Sequence, residues 1–251
     1  MEGAIATMSR IALIIGLIVL AGLFAWANLR QNHQISVSEA TISRMMDGSI
    51  MASAKITNGG EADVLIAASA RGFDHAHFMG TRGSLVVPGN AAPVLASDGA
   101  HVMMSGRADL STGELVPLIL TFQNAGSVNA RAKIVEMTMD HSNMPGIERA
   151  DIDLGLSLDV DENRGGLTGE VEVSGLQLIA RPDDFGHVDG EGHAHVYLNG
   201  LKLQRLYENA FTVGPLSPGI YVLRVTLNAN DHKPYLKGGA PISVEQPFTI
   251  D

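Results

Sequence analysis

From residue 35 to the C-terminus the apolar residues fall in short runs that alternate with polar ones, and a period of two leaves little choice but β-strands. Ile50 to Ile56, Asp63 to Ala68, Ser84 to Val87, Ala92 to Leu95, Val116 to Phe122 and Ala130 to Met137 are such runs. Asn58-Gly-Gly60, Pro88-Gly-Asn90, Ser97-Asp-Gly99 and Asn124-Ala-Gly126 punctuate them as turns. A second series opens at Ala150, where Ile152, Leu154, Leu156, Leu158 and Val160 alternate strictly and Val171, Val173, Leu176 and Leu178 answer them. Tyr197 to Leu206, Ile220 to Leu227 and Ile242 to Ile250 complete it. Strands this short and regular predict an all-β chain built as a Greek-key barrel or sandwich, followed by a second β-sandwich. The division is expected near Met144-Pro-Gly146, giving domains 35–146 and 147–251.

Residues 1–34 read differently. Ile11 to Leu29 is almost unbroken apolar sequence between Arg10 and Arg30. As a helix it would reach about 28 Å, near the thickness of a bilayer core. Ala25-Trp-Ala27 also satisfies the small-residue rule for signal cleavage, so the segment is expected to be a signal peptide or an uncleaved membrane anchor. Either one exports the remainder, in a bacterium to the periplasmic side of the inner membrane. A net charge of −10 with no basic cluster argues against nucleic acid as a partner. The chain has no Cys, which excludes disulfides, thiolate zinc sites and a cysteine nucleophile.

The candidate chemistry lies in imidazoles and thioethers. His75-Ala-His77-Phe-Met79 and His101-Val-Met103 each place donors two residues apart, hence on one face of a strand. Imidazole plus thioether without thiolate suits copper, above all the soft cuprous ion. All 11 Met residues lie at or before Met144, whereas His187, His193, His195 and His232 follow it, so soft donors belong to the first half and imidazole alone to the second. Met104 faces away from Met103 and is expected in the core.

Residues 35 to 137 resemble the periplasmic copper chaperone family PCu(A)C. The resemblance rests on Ala52-Ser-Ala-Lys-Ile-Thr-Asn58, Gly99-Ala-His101-Val-Met103, and Leu118-Ile-Leu-Thr-Phe122 followed by Ala125-Gly126. The family's motif is a His, ten residues, a Met, twenty-one residues, then His-x-Met. Met79, His101 and Met103 match its last three members in register, while Ala68 stands where the first His belongs. His75 or His77 is the expected substitute. The resemblance implies a cupredoxin-like barrel that binds Cu(I) and delivers it to a copper-accepting periplasmic or inner-membrane protein, as in respiratory oxidase assembly.

The second half carries Gly190-Glu-Gly-His193-Ala-His195-Val-Tyr197, again two imidazoles at i and i+2, and Asn228-Ala-Asn-Asp231-His232 at the end of a later strand. Two strand histidines with a third from a turn make a three-imidazole set suited to Cu(II) or zinc, with Glu191 and Asp231 as candidate acceptors fixing the rings. Together with Arg205–Phe211 and Leu227–Leu236, this stretch resembles a β-sandwich domain of exported bacterial proteins. Met137, Met139, His141 and Met144 form either an auxiliary copper site or an ordinary strand end. Asp159, Asp161, Asn163 and Glu170 imitate a calcium loop, but Arg164 occupies the position that needs Gly, so a hairpin turn is expected. No Gly-x-Ser-x-Gly elbow, phosphate loop or His-Glu-x-x-His pair appears, so a non-enzyme is expected. The alternatives are a copper-dependent redox enzyme using the second His cluster and a structural envelope protein.

Overall fold

The computed structural model describes residues 16–22, 34–136, 145–161, 165–182 and 186–251. The chain divides into two units, Met1–Gln34 and Ile35–Asp251. In the first, residues 16–22 are helical and exposed. Among the described residues no helix is long and apolar enough to cross a membrane, so the spanning helix expected over Ile11–Leu29 is without structural support. The rest of that run, with Ala25-Trp-Ala27, lies outside the described residues. So do Met137, Met139, His141 and Met144.

The second unit is β throughout. Its first strands are β1 (Ile35–Arg44), β2 (Ile50–Asn58), β3 (Asp63–Ala70), β4 (His75–Met79), β5 (Leu85–Val87), β6 (Val94–Leu95), β7 (His101–Ser105), β8 (Leu115–Phe122) and β9 (Gly126–Ile134). They continue with β10 (Ile147–Glu148), β11 (Asp153–Asp161), β12 (Gly166–Ser174), β13 (Gln177–Leu178), β14 (Glu191–Leu198), β15 (Leu201–Leu206) and β16 (Ala210–Val213). The last four are β17 (Gly219–Asn228), β18 (Tyr235–Lys237), β19 (Ala240–Pro241) and β20 (Ser243–Ile250). One 14-stranded sheet runs β20-β17-β14-β15-β6-β2-β1-β9-β8-β3-β5, with β7 also on β2, β4 on β7 and β13 on β14. Two smaller sheets are β11-β12-β16 and β10-β18-β19.

Alternation decides what each strand buries. Ile50, Ala52, Ala54 and Ile56 of β2 join Val102 and Met104 of β7 and Leu118 and Leu120 of β8 in one core. Ala76 and Phe78 of β4 pack against it. A second core takes Ala194, Val196 and Leu198 of β14 and Leu223, Val225 and Leu227 of β17 on one side. Val171 of β12 and Phe211 and Val213 of β16 come from the other, so the β11-β12-β16 sheet faces the large one as a sandwich. The closed barrel expected for the first half is corrected: β3 and β4 lie side by side, but β4 pairs only with β7 and β3 only with β5 and β8. The wall is left with a seam, and β4 becomes an edge strand whose outer face is free of a covering ladder. β11 and β12 form an antiparallel hairpin in which Glu170 stands opposite Ser157, although residues 162–164 of its turn lie outside the described residues.

Three glycines hold the halves of this unit together. Gly99 N–H donates to the Ala96 carbonyl, and Ala100 N–H donates to that of Gly200 at 2.7 Å. A Cβ on Gly200, whose φ is +93°, would run into the Gly80 carbonyl, and one on Gly99 would sit 2.6 Å from the Gly200 carbonyl. No side chain fits where the backbones touch. Gly200→Ala is expected to cost about 2–4 kcal/mol, from left-handed backbone strain plus the collision. Gly113→Ala, at φ +90° with open space around it, carries the strain alone and is expected to cost about 1–2 kcal/mol. Urea unfolding of both variants checks this; equal losses would remove the contact argument.

Candidate metal centres

The first donor set is built by strand register. β4 and β7 are antiparallel, with Met79 directly opposite His101, His77 opposite Met103 and His75 opposite Ser105. Directly opposed side chains have Cβ atoms about 4.5–5.5 Å apart. Ala76, Phe78, Val102 and Met104 turn inward, so His77, Met79, His101 and Met103 project together from the outer face. His75 shares that face one rung further out. Met79 is 48% exposed, uncommon for a thioether, and His77 is exposed too. The His101 Nδ1–H donates to the Gly99 carbonyl at 2.9 Å, so Nε2 is the ring nitrogen left for a metal. Met51 on β2 stands opposite Met103 and faces the same side. The sequence reading passed over it. The signal was there: Ile50, Ala52, Ala54 and Ile56 take the core positions, so Met51 is an apolar residue on a face otherwise lined by Ser53, Lys55 and Thr57.

The second set is buried. In β14 the residues between Ala194, Val196 and Leu198 are His193, His195 and Tyr197, all on the face turned away from the second core. His193 Nε2 and His195 Nε2 approach to 2.8 Å. His232 completes the group, and one nitrogen from each ring lies within 4.8 Å of the others. It comes from a tight turn in which its N–H donates to the Ala229 carbonyl at 2.9 Å and its own φ is +66°, a strained conformation for histidine. His187, by contrast, lies in the exposed loop edge-on to Tyr235, with ring centroids 6.2 Å apart.

A half-buried carboxylate orients the triad. Asp98 Oδ2 lies 3.1 Å from His195 Nδ1, accepts the Tyr197 hydroxyl at 3.0 Å and accepts Lys202 Nζ at 2.6 Å. Burial raises the Asp98 carboxyl, but the hydrogen bond from His195 and the charge of Lys202 outweigh it and hold it well below the usual carboxylate range. Burial and the Asp98 charge push the Tyr197 phenol far up, so it stays a donor. His195 is lowered to about 4, mainly by burial, with Asp98 opposing. His193 is lowered to about 2 by burial, then by the neighbouring His195 and His232 and by Arg205 and Lys202. Both imidazoles are therefore neutral at pH 7. With His195 Nδ1–H given to Asp98, its Nε2 accepts a proton from His193, and that shared proton marks where three lone pairs can converge on a cation. Tetrahedral coordination at 2.0–2.1 Å spaces nitrogens by about 3.3 Å, so the pair need spread only slightly and His232 close in. The residues fit a metal.

Glu191 and Asp231, expected to orient the rings, do not. Glu191 is held by the Arg181 guanidinium at 2.8 and 2.9 Å, and Asp231 by Lys233 at 2.8 Å. The acceptor that serves is Asp98, 99 residues before Tyr197 and read from sequence only as part of a turn.

No protein-family model matches the chain, and no curated protein matches it. Among solved structures, the apo PCuAC domain from PmoF1 is 25% identical, with a TM-score of 0.38, covering 41% of this chain and 94% of its own. The copper-bound PCuAC domain from PmoF2 is 21% identical, with a TM-score of 0.37, covering 42% of this chain and 94% of its own. The copper named with the second domain is that protein's own.

Buried neutral histidines make stability depend on pH. The unfolded chain takes up protons as pH falls below about 6.5, while folded His195 and His193 do so only near 4 and 2. Stability is therefore greatest above pH 6.5 and declines through the window from 6.5 to 4, by at most about 1.4 kcal/mol per pH unit for each ring. Urea unfolding at pH 7 and pH 5 should differ by about 2–4 kcal/mol. Replacing both rings by Gln should flatten that difference, and an unchanged slope would refute the assignment.

Proposed function

We propose that this is a copper-binding carrier of the bacterial periplasm that holds Cu(I) on the outer face of β4 and β7 and passes it to a copper-accepting protein. The observation that carries the reading is the register Met79↔His101 and His77↔Met103, which gathers two thioethers and two imidazoles on one exposed face. Thioethers are neutral soft donors that never need deprotonation, and Cu(I) accepts few ligands in flexible geometry. A site on an edge strand can exchange its ligands with those of a docked partner. His77 is the ring proposed to replace the family's first histidine, since it faces Met103, whereas His75 faces Ser105.

The segment 35–146 is proposed as the PCu(A)C-like copper domain, 147–251 as a second metal-binding domain, and residues 1–34 as the signal or anchor that places the protein at the inner membrane. His193, His195 and His232 are proposed to hold Cu(II) or zinc, since imidazole alone suits those ions.

Loading the protein under reducing conditions is expected to give one tightly held Cu(I) whose X-ray absorption shows both sulfur and nitrogen neighbours. Met79→Ala or His101→Ala should each weaken it at least tenfold in competition with a chromophoric Cu(I) chelator, while His193→Ala leaves it unchanged. A Cu(I) affinity indifferent to Met79 and His101 ends the carrier reading. At the triad, Asp98→Asn should lower Zn(II) affinity about 10–100-fold, measured calorimetrically, by releasing the His195 ring from its acceptor. Turnover of oxygen or superoxide that vanishes in His232→Ala would instead favour a redox enzyme.

A further inference from the structure

Buried methionines ordinarily fill a core, and Met51 does not. It is only 6% exposed, yet it belongs to neither hydrophobic core. Its own strand explains the position. Ile50, Ala52, Ala54 and Ile56 take the inward face of β2, so Met51 shares the outward one with Ser53, Lys55 and Thr57. Away from both cores, what distinguishes this residue from leucine or isoleucine is its sulfur.

Strand pairing shows what that sulfur stands beside. β7 runs between β4 and β2 and is antiparallel to both. Met103 has His77 opposite it on β4 and Met51 opposite it on β2. His101 has Met79 opposite it on β4 and Met51 diagonally across from it on β2. Opposed side chains have Cβ atoms about 4.5–5.5 Å apart, and diagonal neighbours at about 7–8 Å are still within reach of long side chains. Donors therefore flank His101 and Met103 on both sides rather than on the β4 side alone. Past Met51 the same row ends on Ser43 of β1. Met45, also buried outside both cores, donates its N–H to Ser49 in the β1–β2 hairpin. It lies two strands from β7, about 10 Å across the sheet, too far to share an ion with His101 and Met103.

The flanking sulfurs differ in access. Met79 is 48% exposed on the edge strand, whereas Met51 is sheltered one strand further in. An ion seated over β7 has an open sulfur on one side and a covered one on the other. Both are neutral soft donors of the kind that favours Cu(I).

We propose that Met51 is a third sulfur ligand of the outer copper site, so that Met79, Met103 and Met51 hold Cu(I) together with His101. The proposal rests on the outer face binding Cu(I) and deepens that reading. Met51, Met103 and His101 form the part of the site that keeps the ion, while Met79 is the donor that a partner's ligand displaces first.

The test uses the full chain loaded with one equivalent of Cu(I) under reducing conditions. X-ray absorption of the unaltered protein is expected to show three sulfur neighbours. Met51→Leu keeps an apolar side chain of similar size but removes the sulfur. It should leave two sulfur neighbours and weaken Cu(I) about tenfold against a chromophoric chelator. Met104→Leu, on the core face of β7, should change neither reading. In protein isotope-labelled at its methionine methyl groups, the Met51 methyl resonance should shift on adding Cu(I), and Met51→Ile assigns that signal should Met51→Leu not fold. Two sulfur neighbours in the unaltered protein, or a Met51 methyl that Cu(I) does not move, overturns the proposal and leaves the site of Met79 and His101 standing. A Met51→Leu protein that binds more weakly but still shows three sulfurs also overturns it, because the loss is then one of packing. Equal weakening by Met104→Leu does the same. Cu(I) affinity indifferent to Met79→Ala and His101→Ala removes both this proposal and the copper reading beneath it.

Discussion

The Asp98 carboxylate is the group on which the inner site turns. Three donors, His195, Tyr197 and Lys202, meet on its Oδ2, and together they hold a charge that is partly withdrawn from water. Removing one partner of such a network costs more than the net value of the bonds, because the buried His195 and Tyr197 are left desolvated and unmet. The residues that follow do the same for the outer site: the Gly99 carbonyl accepts from His101. A loop of four residues thus orients one imidazole in each donor set. Its close passage against Gly80 explains why that position has no room for a side chain.

The two donor sets differ in the way their chemistry requires. The outer set is half thioether, sits on an edge strand and is open enough for Met79 to be 48% exposed. Soft neutral donors lose little by exposure, and access is what ligand exchange needs. The inner set is all imidazole, with His193 and His195 nearly sealed at 3% and 1% exposure. Burial keeps those rings unprotonated well below neutral pH, so protons compete weakly for their lone pairs, but it also raises the cost of any uncompensated charge. Shape and electrostatics therefore place different demands on what each site accepts.

Much of the outer site was legible beforehand. His75, His77 and Met79 share a face because side-chain direction in a strand repeats every two residues, and the same rule separates Met103 from Met104. Met51 was legible too, but only by asking which residues of β2 fail to point inward. The pairing of β4 with β7 was not, since the twenty-one residues between Met79 and His101 carry no local signal of register. Barrel closure failed for a related reason: whether β3 and β4 form a ladder or merely touch depends on how twist accumulates around the whole wall. In the inner site the His193 and His195 pair was plain, whereas Asp98 was hidden in a turn signal and lost to the nearer Glu191 and Asp231, which Arg181 and Lys233 claim.

By itself the sequence determined the strands, the residues each strand turns inward, and the segregation of sulfur from imidazole donors along the chain. These are short-range properties, set by alternation and by the types of side chain present. Only the tertiary structure decided which strands lie side by side, which turn contributes the third histidine and which carboxylate meets the triad. Those outcomes depend on long-range packing and on competition among several charged neighbours for the same partner, and neither is written in the spacing of residues.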